Sequence, residues 1–170
     1  YLNGVRITKG ILAPYIGNPD HFVVYDTYEI APLLHEGKNA VGIVLGNGFA
    51  NAFGGFVWDF DKAPFRSAPK TAFRIEADGK TVFTSRSALK TAPSPILSDD
   101  LREGEVYDAR REIDGWTEPE FDDSDWADAI DVPPPAGECI AADFEPIAEY
   151  KRRRAVGIYP ADDGYIYDFG

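Results

Sequence analysis

Residues 71–84, TAFRIEADGKTVFT, decide the fold. Residues 71–76 (TAFRIE) alternate between outward and inward types, Asp78-Gly79 supplies a tight turn, and residues 80–84 (KTVFT) return. A two-residue Asp-Gly loop between β-prone runs is the strongest short-range hairpin signal a sequence offers. Residues 86–91 are expected to extend the meander, and Pro93 and Pro95 end it.

Outward toward the N-terminus the signal stays β. Residues 22–30 (FVVYDTYEI) are rich in β-branched and aromatic side chains, and residues 39–45 (NAVGIVL) form an apolar run suited to a buried strand. Between them, APLLHEGKN reads as one helical turn stopped at Gly37. Asn47-Gly48 marks a turn. Toward the C-terminus, residues 105–113 (EVYDARREI) fit strand or helix equally well. Asp122-Asp123-Ser124-Asp125-Trp126 looks like a helix start, with acids in its first turn. Pro133 to Pro135 is extended and stiff. Lys151 to Arg154 is a basic run that reads as a solvated edge, and residues 164–169 (GYIYDF) read as a final strand. Many short strands with frequent turns and one or two helical turns predict an all-β sandwich. Residues 48–70, rich in glycine and aromatics and without a period, stand apart as a long covering or functional loop.

Composition narrows the function classes. The 170 residues fit one ordinary domain; 44% are hydrophobic and 27% charged. The net charge is −12, which argues against a phosphate backbone or an anionic membrane as partner. Residues 1–95 carry 10 Lys/Arg and 8 Asp/Glu, whereas residues 96–170 carry 7 and 21, so the excess acid lies in the second part. That acid is either a solvated surface or a face for a cation or a neighbouring domain. Cys139 is the single cysteine, so an intrachain disulfide is impossible. No apolar run approaches the roughly 20 residues of a membrane-spanning helix. The lack of methionine and the opening Tyr1-Leu2-Asn3-Gly4 suggest a slice of a longer chain, and the compartment stays open.

Few constellations carry chemistry. His21 and His35 lie near no nucleophile motif, and Gly46, Gly48, Gly54 and Gly55 do not space as a phosphate loop. Paired carboxylates occur as Asp59 with Asp61, Asp99 with Asp100, and Asp122, Asp123 and Asp125. Asp59 and Asp61 stand out because Trp58, Phe53, Phe56, Phe60 and Phe65 surround them. Aromatic rings stack on the apolar face of a pyranose while carboxylates accept its hydroxyls. The same residues also serve as a plug for one end of a sandwich. Calcium takes six to eight oxygens, and Asn18 and Asp20 offer two in a turn, with Asp59 or Asp61 as further donors. In residues 104–126, Glu105, Asp108, Arg110, Arg111 and Glu112 are set to form a charge network that fixes a strand or domain contact.

An ordered set of motifs carries a family resemblance. It runs through Tyr1-Leu2-Asn3-Gly4, Leu12-Ala13-Pro14, Tyr25-Asp26-Thr27-Tyr28, Gly37-Lys38-Asn39-Ala40-Val41-Gly42, Leu45-Gly46-Asn47-Gly48 and Trp58-Asp59-Phe60-Asp61-Lys62-Ala63-Pro64. It continues with Gly104-Glu105, Tyr107-Asp108-Ala109-Arg110, Gly115-Trp116, Asp122-Asp123-Ser124 with Trp126, and Tyr167-Asp168-Phe169-Gly170. On these residues the chain resembles the N-terminal β-sandwich module of bacterial α-L-rhamnosidases, glycoside hydrolase family 78. The resemblance implies a galactose-binding-like jelly roll over residues 1–160, with residues 161–170 opening the next β-domain. It also implies an inverting parent enzyme whose catalytic carboxylates sit on a downstream (α/α)6 barrel. This chain would then carry no catalytic residue and no activity of its own. Its partners would be that barrel and the neighbouring β-domain, and L-rhamnose or rhamnosides where it binds sugar. Some relatives hold L-rhamnose through calcium at an acid–amide pair. That pair falls near Asp20-His21 here, where His21 is not an amide and Asn18 lies two residues earlier. The expected ligand loops are those of Asn18, Asp20, Trp58, Asp59 and Asp61, with Asp20 and Asn18 toward calcium. A purely structural interdomain module is the alternative.

Overall fold

The computed structural model describes residues 1–8, 10–15, 17–52 and 62–170. Its strands are β1 (Phe22–Tyr25), β2 (Arg74–Ala77), β3 (Lys80–Thr84), β4 (Lys90–Thr91), β5 (Ile96–Asp100), β6 (Gly104–Tyr107), β7 (Ala127–Asp128), β8 (Glu138–Ala141), β9 (Gly157–Ala161) and β10 (Gly164–Asp168). The helical elements with described bounds are short, one α turn at Gly48–Asn51 and 3-10 turns at Ala31–Leu33 and Ala109–Arg111. The chain is all-β, as its sequence predicts.

The strands pair two by two. The β2–β3 hairpin forms where it is expected. Asp78 and Gly79 both take positive φ, +49° and +71°, the geometry whose twist suits a two-residue hairpin loop. The register slips by one between Ile75/Phe83 and Glu76/Thr81, so Val82 is the extra residue of a bulge. β5–β6 and β9–β10 are antiparallel pairs of neighbours in sequence. Two ladders join distant segments: β4 pairs antiparallel with β7, and β1 pairs parallel with β8 through Phe22↔Glu138 to Tyr25↔Ala141. The expected boundary between residues 160 and 161 falls inside β9, and β9 pairs along its whole length with β10.

Three local expectations change. The apolar run 39–45 forms no strand; Val41 makes a single bridge to Leu2, and Ile43, Val44 and Leu45 are exposed. The chain alongside it is the tight turn Asn3-Gly4, where Leu2 and Val5 already bridge each other, so no partner strand is on offer. Residues 122–126 make one turn rather than a helix. The Ser124 N–H donates to Asp122 Oδ1 and the Trp126 N–H to the Asp123 carbonyl, and the chain then enters β7. Pairing with β4 overrides the local helix signal. Residues 86–91 do not continue the meander, because Lys90 and Thr91 are taken by β7. The ambiguous stretch 105–113 resolves into both readings, the end of β6 followed by a 3-10 turn.

The core is thin. Among the described residues only Leu2, Val24 and Ala52 are buried apolar side chains. Polar clamps hold much of the rest. Asn3 Nδ2 donates to the Leu33 carbonyl and to Asn39 Oδ1, both at 2.8 Å, and Asn3 Oδ1 accepts the Ala40 N–H at 2.8 Å. Asn39 in turn receives the His35 N–H and donates to the His35 and Gly37 carbonyls. The two asparagines that help carry the family resemblance are thus a structural lock on the 31–40 turn.

Candidate functional site

β1 and β8 run parallel and end together at Tyr25 and Ala141. One more bond, Ala142 N–H to the Tyr25 carbonyl at 2.9 Å, holds them before the chains diverge. Residues 10–15 form a third wall, tied across by the Ile11 N–H to the Ile147 carbonyl at 2.6 Å. The space between these segments is an open cleft of about 250 Å³. Tyr15 and Phe144 line it as an edge-to-face pair, ring centroids 4.8 Å apart at 63°. Asp26 and Tyr28 supply its polar side, with the Tyr28 hydroxyl donating to Asp26 Oδ2 at 3.0 Å. Burial, then the hydrogen bond and charge of Asp26, push the Tyr28 phenol up to about 12. The hydroxyl therefore stays protonated at neutral pH and orients the carboxylate.

The residues expected to bind sugar or calcium divide. Asn18 and Asp20 lie at the opposite end of β1, in the turn that launches it. Asn18 Oδ1 accepts the Asp20 N–H at 3.0 Å, and the Asn18 carbonyl accepts the N–H groups of His21 and Phe22. Trp58, Asp59 and Asp61 lie outside the described residues. Calcium takes six to eight oxygens; Asn18 brings one side-chain oxygen, already accepting the Asp20 N–H, and Asp20 brings two, so loop carbonyls or other groups would have to complete the shell. Among the described residues no three His, Cys, Asp or Glu side chains converge as a metal group.

The other acidic pairs have structural occupations. Asp99 Oδ1 accepts the Asn47 N–H at 2.8 Å, and Asn47 Nδ2 donates to the Asp99 carbonyl, pinning the 48–51 turn onto β5. Asp100 Oδ1 accepts the N–H groups of Arg102 and Glu103 in the β5–β6 turn. Asp108 holds Arg110 in a two-pronged pair, with 2.8 Å at both Nε and Nη2, and that pair holds its carboxyl below the usual range. The Tyr107 hydroxyl donates to Glu112 at 2.6 Å. The expected charge network at 105–112 is thus local and closes one turn; Glu105 stands in β6 opposite Asp99. A second recess, about 370 Å³, lies between Asn47, Asn51, Arg66, Asp99 and Glu103.

Sequence reasoning passed over Asp26, Tyr28, Tyr15 and Phe144 as site residues. An aromatic beside a carboxylate, the signal that singled out residues 58–61, was equally present in Tyr25-Asp26-Thr27-Tyr28. Nothing local marks Tyr15 or Phe144, which reach the cleft only through the pairing of β1 with β8.

Strands in pairs, almost no helix and a cleft at a ladder's end define an all-β module. Within that class the chain belongs to the alpha-L-rhamnosidase N-terminal domain family, whose model matches residues 1–151. An alpha-L-rhamnosidase of Formosa agariphila is 30% identical over the whole chain, and one of Streptomyces avermitilis is 35% identical over 74% of it. The chain spans 19% and 12% of the lengths of these two curated relatives. Among solved structures, alpha-L-rhamnosidase from Dictyoglumus thermophilum superposes with a TM-score of 0.81 at 33% identity, covering 99% of this chain and 19% of that one. The Streptomyces avermitilis enzyme complexed with L-rhamnose superposes with a TM-score of 0.72 at 31% identity, covering 92% of this chain and 16% of that one.

Proposed function

We propose that the chain is a non-catalytic accessory domain of an inverting α-L-rhamnosidase and that its first task is interdomain support. The observation that carries this is its open apolar surface. The accessible area is 13446 Å², against roughly 8,300 Å² for a folded monomer of 18.8 kDa. The excess is about 5,000 Å² on this chain alone, whereas large permanent interfaces bury roughly 2,000–5,000 Å² or more counted over both partners, so the surface has room for more than one domain contact. The other parts of a rhamnosidase, its catalytic (α/α)6 barrel and adjoining β-domain, are the proposed cover.

A glycosidase site also needs two carboxylates flanking the scissile bond, roughly 5–9.5 Å apart. The cleft beside β1 offers only Asp26 among its lining residues. A rhamnosidase lacking residues 1–151 should lose thermal stability while each folded molecule keeps its turnover of an aryl-rhamnoside. Turnover of that substrate by the 170-residue chain alone would sink the non-catalytic reading. Proton NMR of the first-formed sugar anomer tests the inverting mechanism of the parent.

Sugar recognition is a second task, favoured by the aromatic and carboxylate lining of the β1 cleft. The loops of Asn18, Asp20, Trp58, Asp59 and Asp61 are the other candidates for it, with calcium at Asn18 and Asp20. Calorimetric titration with L-rhamnose in the presence and absence of calcium reads whether that pair contributes.

A further inference from the structure

We propose that the 10–15 loop and the 144–154 segment make one docking face, and that its occupant is an apolar, acid-rimmed surface on the remaining part of the parent rhamnosidase. The inference rests on the reading of the chain as an interdomain support; it names one face that does the supporting and the chemistry that meets it. Ile11, Leu12, Tyr15, Phe144 and Ile147 line one cleft and are all exposed. The Ile11 N–H to the Ile147 carbonyl and the Tyr15–Phe144 ring contact join the two segments into a single ridge. Leu12 is its point, 63% exposed and with φ at +57°. Among the described residues the other non-glycine positions with positive φ are Asn3 and Asp78. Asparagine and aspartate tolerate that region because their short polar side chains bond locally, and a leucine has no such help. The neighbours of Leu12 impose its conformation. Gly10 is buried, and a Cβ there would lie 3.1 Å from Pro146 Cβ and 3.2 Å from Ala13 Cβ. The Gly10 carbonyl also accepts from Arg6 Nη2 at 3.2 Å. Strain of this kind persists where the surroundings over-determine it, and it gathers where function uses the result. Here the result is an apolar side chain held out into water on a fixed base, so docking orders little that is not ordered already.

Charge sets the partner's chemistry. Residues 143–154 carry 4 Lys/Arg and 3 Asp/Glu, against 3 and 18 in the rest of residues 96–170, so the basic groups of the acidic part gather here. Arg152 pairs with Glu149 through Nε and Nη2, and the charge of Arg6 bears on the same carboxylate, which sets the basic run beside the loop. Lys151, Arg153 and Arg154 are exposed, as are Asp143 and Glu145. An apolar surface with acids at its rim meets both the ridge and the guanidinium groups. A second copy of the chain is disfavoured, since two bodies of net charge −12 repel. The remainder of the parent is the occupant the comparisons leave in view: the chain spans 19% and 12% of the lengths of the two relatives above.

Leu12→Asn separates docking from folding. Asparagine accepts positive φ, so the 170-residue chain should be no less stable to urea with it. In the full-length rhamnosidase the same change should speed hydrogen exchange in segments 10–15 and 144–154 about tenfold. Arg153→Glu with Arg154→Glu should do the same, and its effect should shrink in high salt. Ile130→Asn, outside both segments at a position 82% exposed, should leave their exchange as it was. Exchange in the two segments as fast in the full-length enzyme as in the 170-residue chain would overturn this face, while protection gained by β9 and β10 would still uphold interdomain support elsewhere. If neither region gains protection, both readings fall. An Ile130→Asn as disruptive as Leu12→Asn would spread the contact over the whole surface and overturn this face alone. Loss of stability in the 170-residue chain with Leu12→Asn would make Leu12 part of the fold and overturn it as the anchor. A 170-residue chain that sediments as a dimer, and as a monomer with Leu12→Asn, would make a second copy the occupant and overturn the proposal.

Discussion

Tyr28 is where a single residue reports the cleft. Its phenol is raised first by burial, then by the hydrogen bond to Asp26 and by that carboxylate's charge. Titrated by ring NMR, Tyr28 should lose its proton near pH 12, and Asp26→Asn should bring it back toward 10, the two Asp26 contributions being removed and the burial kept. The sign for stability follows from linkage. The folded chain holds this proton to higher pH than the unfolded chain, so the contribution is complete below pH 10 and vanishes as pH climbs toward 12. A Tyr28 titration unchanged by Asp26→Asn would mean that the pair is not formed in solution. The acids of the second part serve the backbone instead. Asp100, Asp108, Asp122 and Asp168 each accept a backbone N–H two residues on, so part of the excess negative charge is turn chemistry.

At the scale of elements, two glycines separate turn strain from crowding. Gly79 sits at φ +71° with nothing within 4 Å of an added Cβ, so Gly79→Ala costs only left-handed strain. Roughly 1 kcal/mol is expected, read as a shift of the urea midpoint. Gly137 is different. A Cβ there would lie 2.5 Å from the Phe22 nitrogen, 2.7 Å from the Pro19 carbonyl oxygen and 2.8 Å from the His21 carbonyl carbon. All three are backbone, so β1 and β8 must part to admit it. Gly137→Ala should therefore cost more than Gly79→Ala, about 3 kcal/mol or beyond, and it should loosen the cleft with the ladder. Equal costs would show that the parallel pair is not tightly closed. These elements also mark what a sequence discloses. The Asp78-Gly79 hairpin was legible because its cause is local: two residues that tolerate positive φ between strands five residues long or shorter. The β1–β8 and β4–β7 ladders were not, since partners 116 and 38 residues apart (Phe22↔Glu138, Lys90↔Asp128) leave no local trace. The candidate site inherits that limit. Its Asp26–Tyr28 wall stood in plain view in one tetrapeptide, while Tyr15 and Phe144 became neighbours only through tertiary pairing.

For the whole molecule the question is what a thin core does to folding. Strands usually build stable structure in sheets of three or more with a covered face, and two-stranded hairpins alone are marginal. Among the described residues every sheet has two strands. β9–β10 shows the consequence: Ile158, Tyr165 and Tyr167 share one face, Tyr159 and Ile166 the other, and all five are exposed. A hairpin apolar on both faces is made to be covered on both. An unfolded chain of this mass exposes roughly 27,000 Å², so reaching 13446 Å² buries about three-quarters of what a close-packed domain of equal size would bury. The urea m-value scales with that burial. The chain in isolation should therefore unfold with an m-value about three-quarters of that of a close-packed 18.8 kDa domain, and it should bind a hydrophobic dye before it unfolds. Joined to the catalytic part of a rhamnosidase, the same residues should lose the dye signal, and the amides of β9 and β10 should gain protection from hydrogen exchange. A full-sized m-value with no dye binding would mean that the chain closes its own surface in solution, and the interdomain role would lose the observation that carries it.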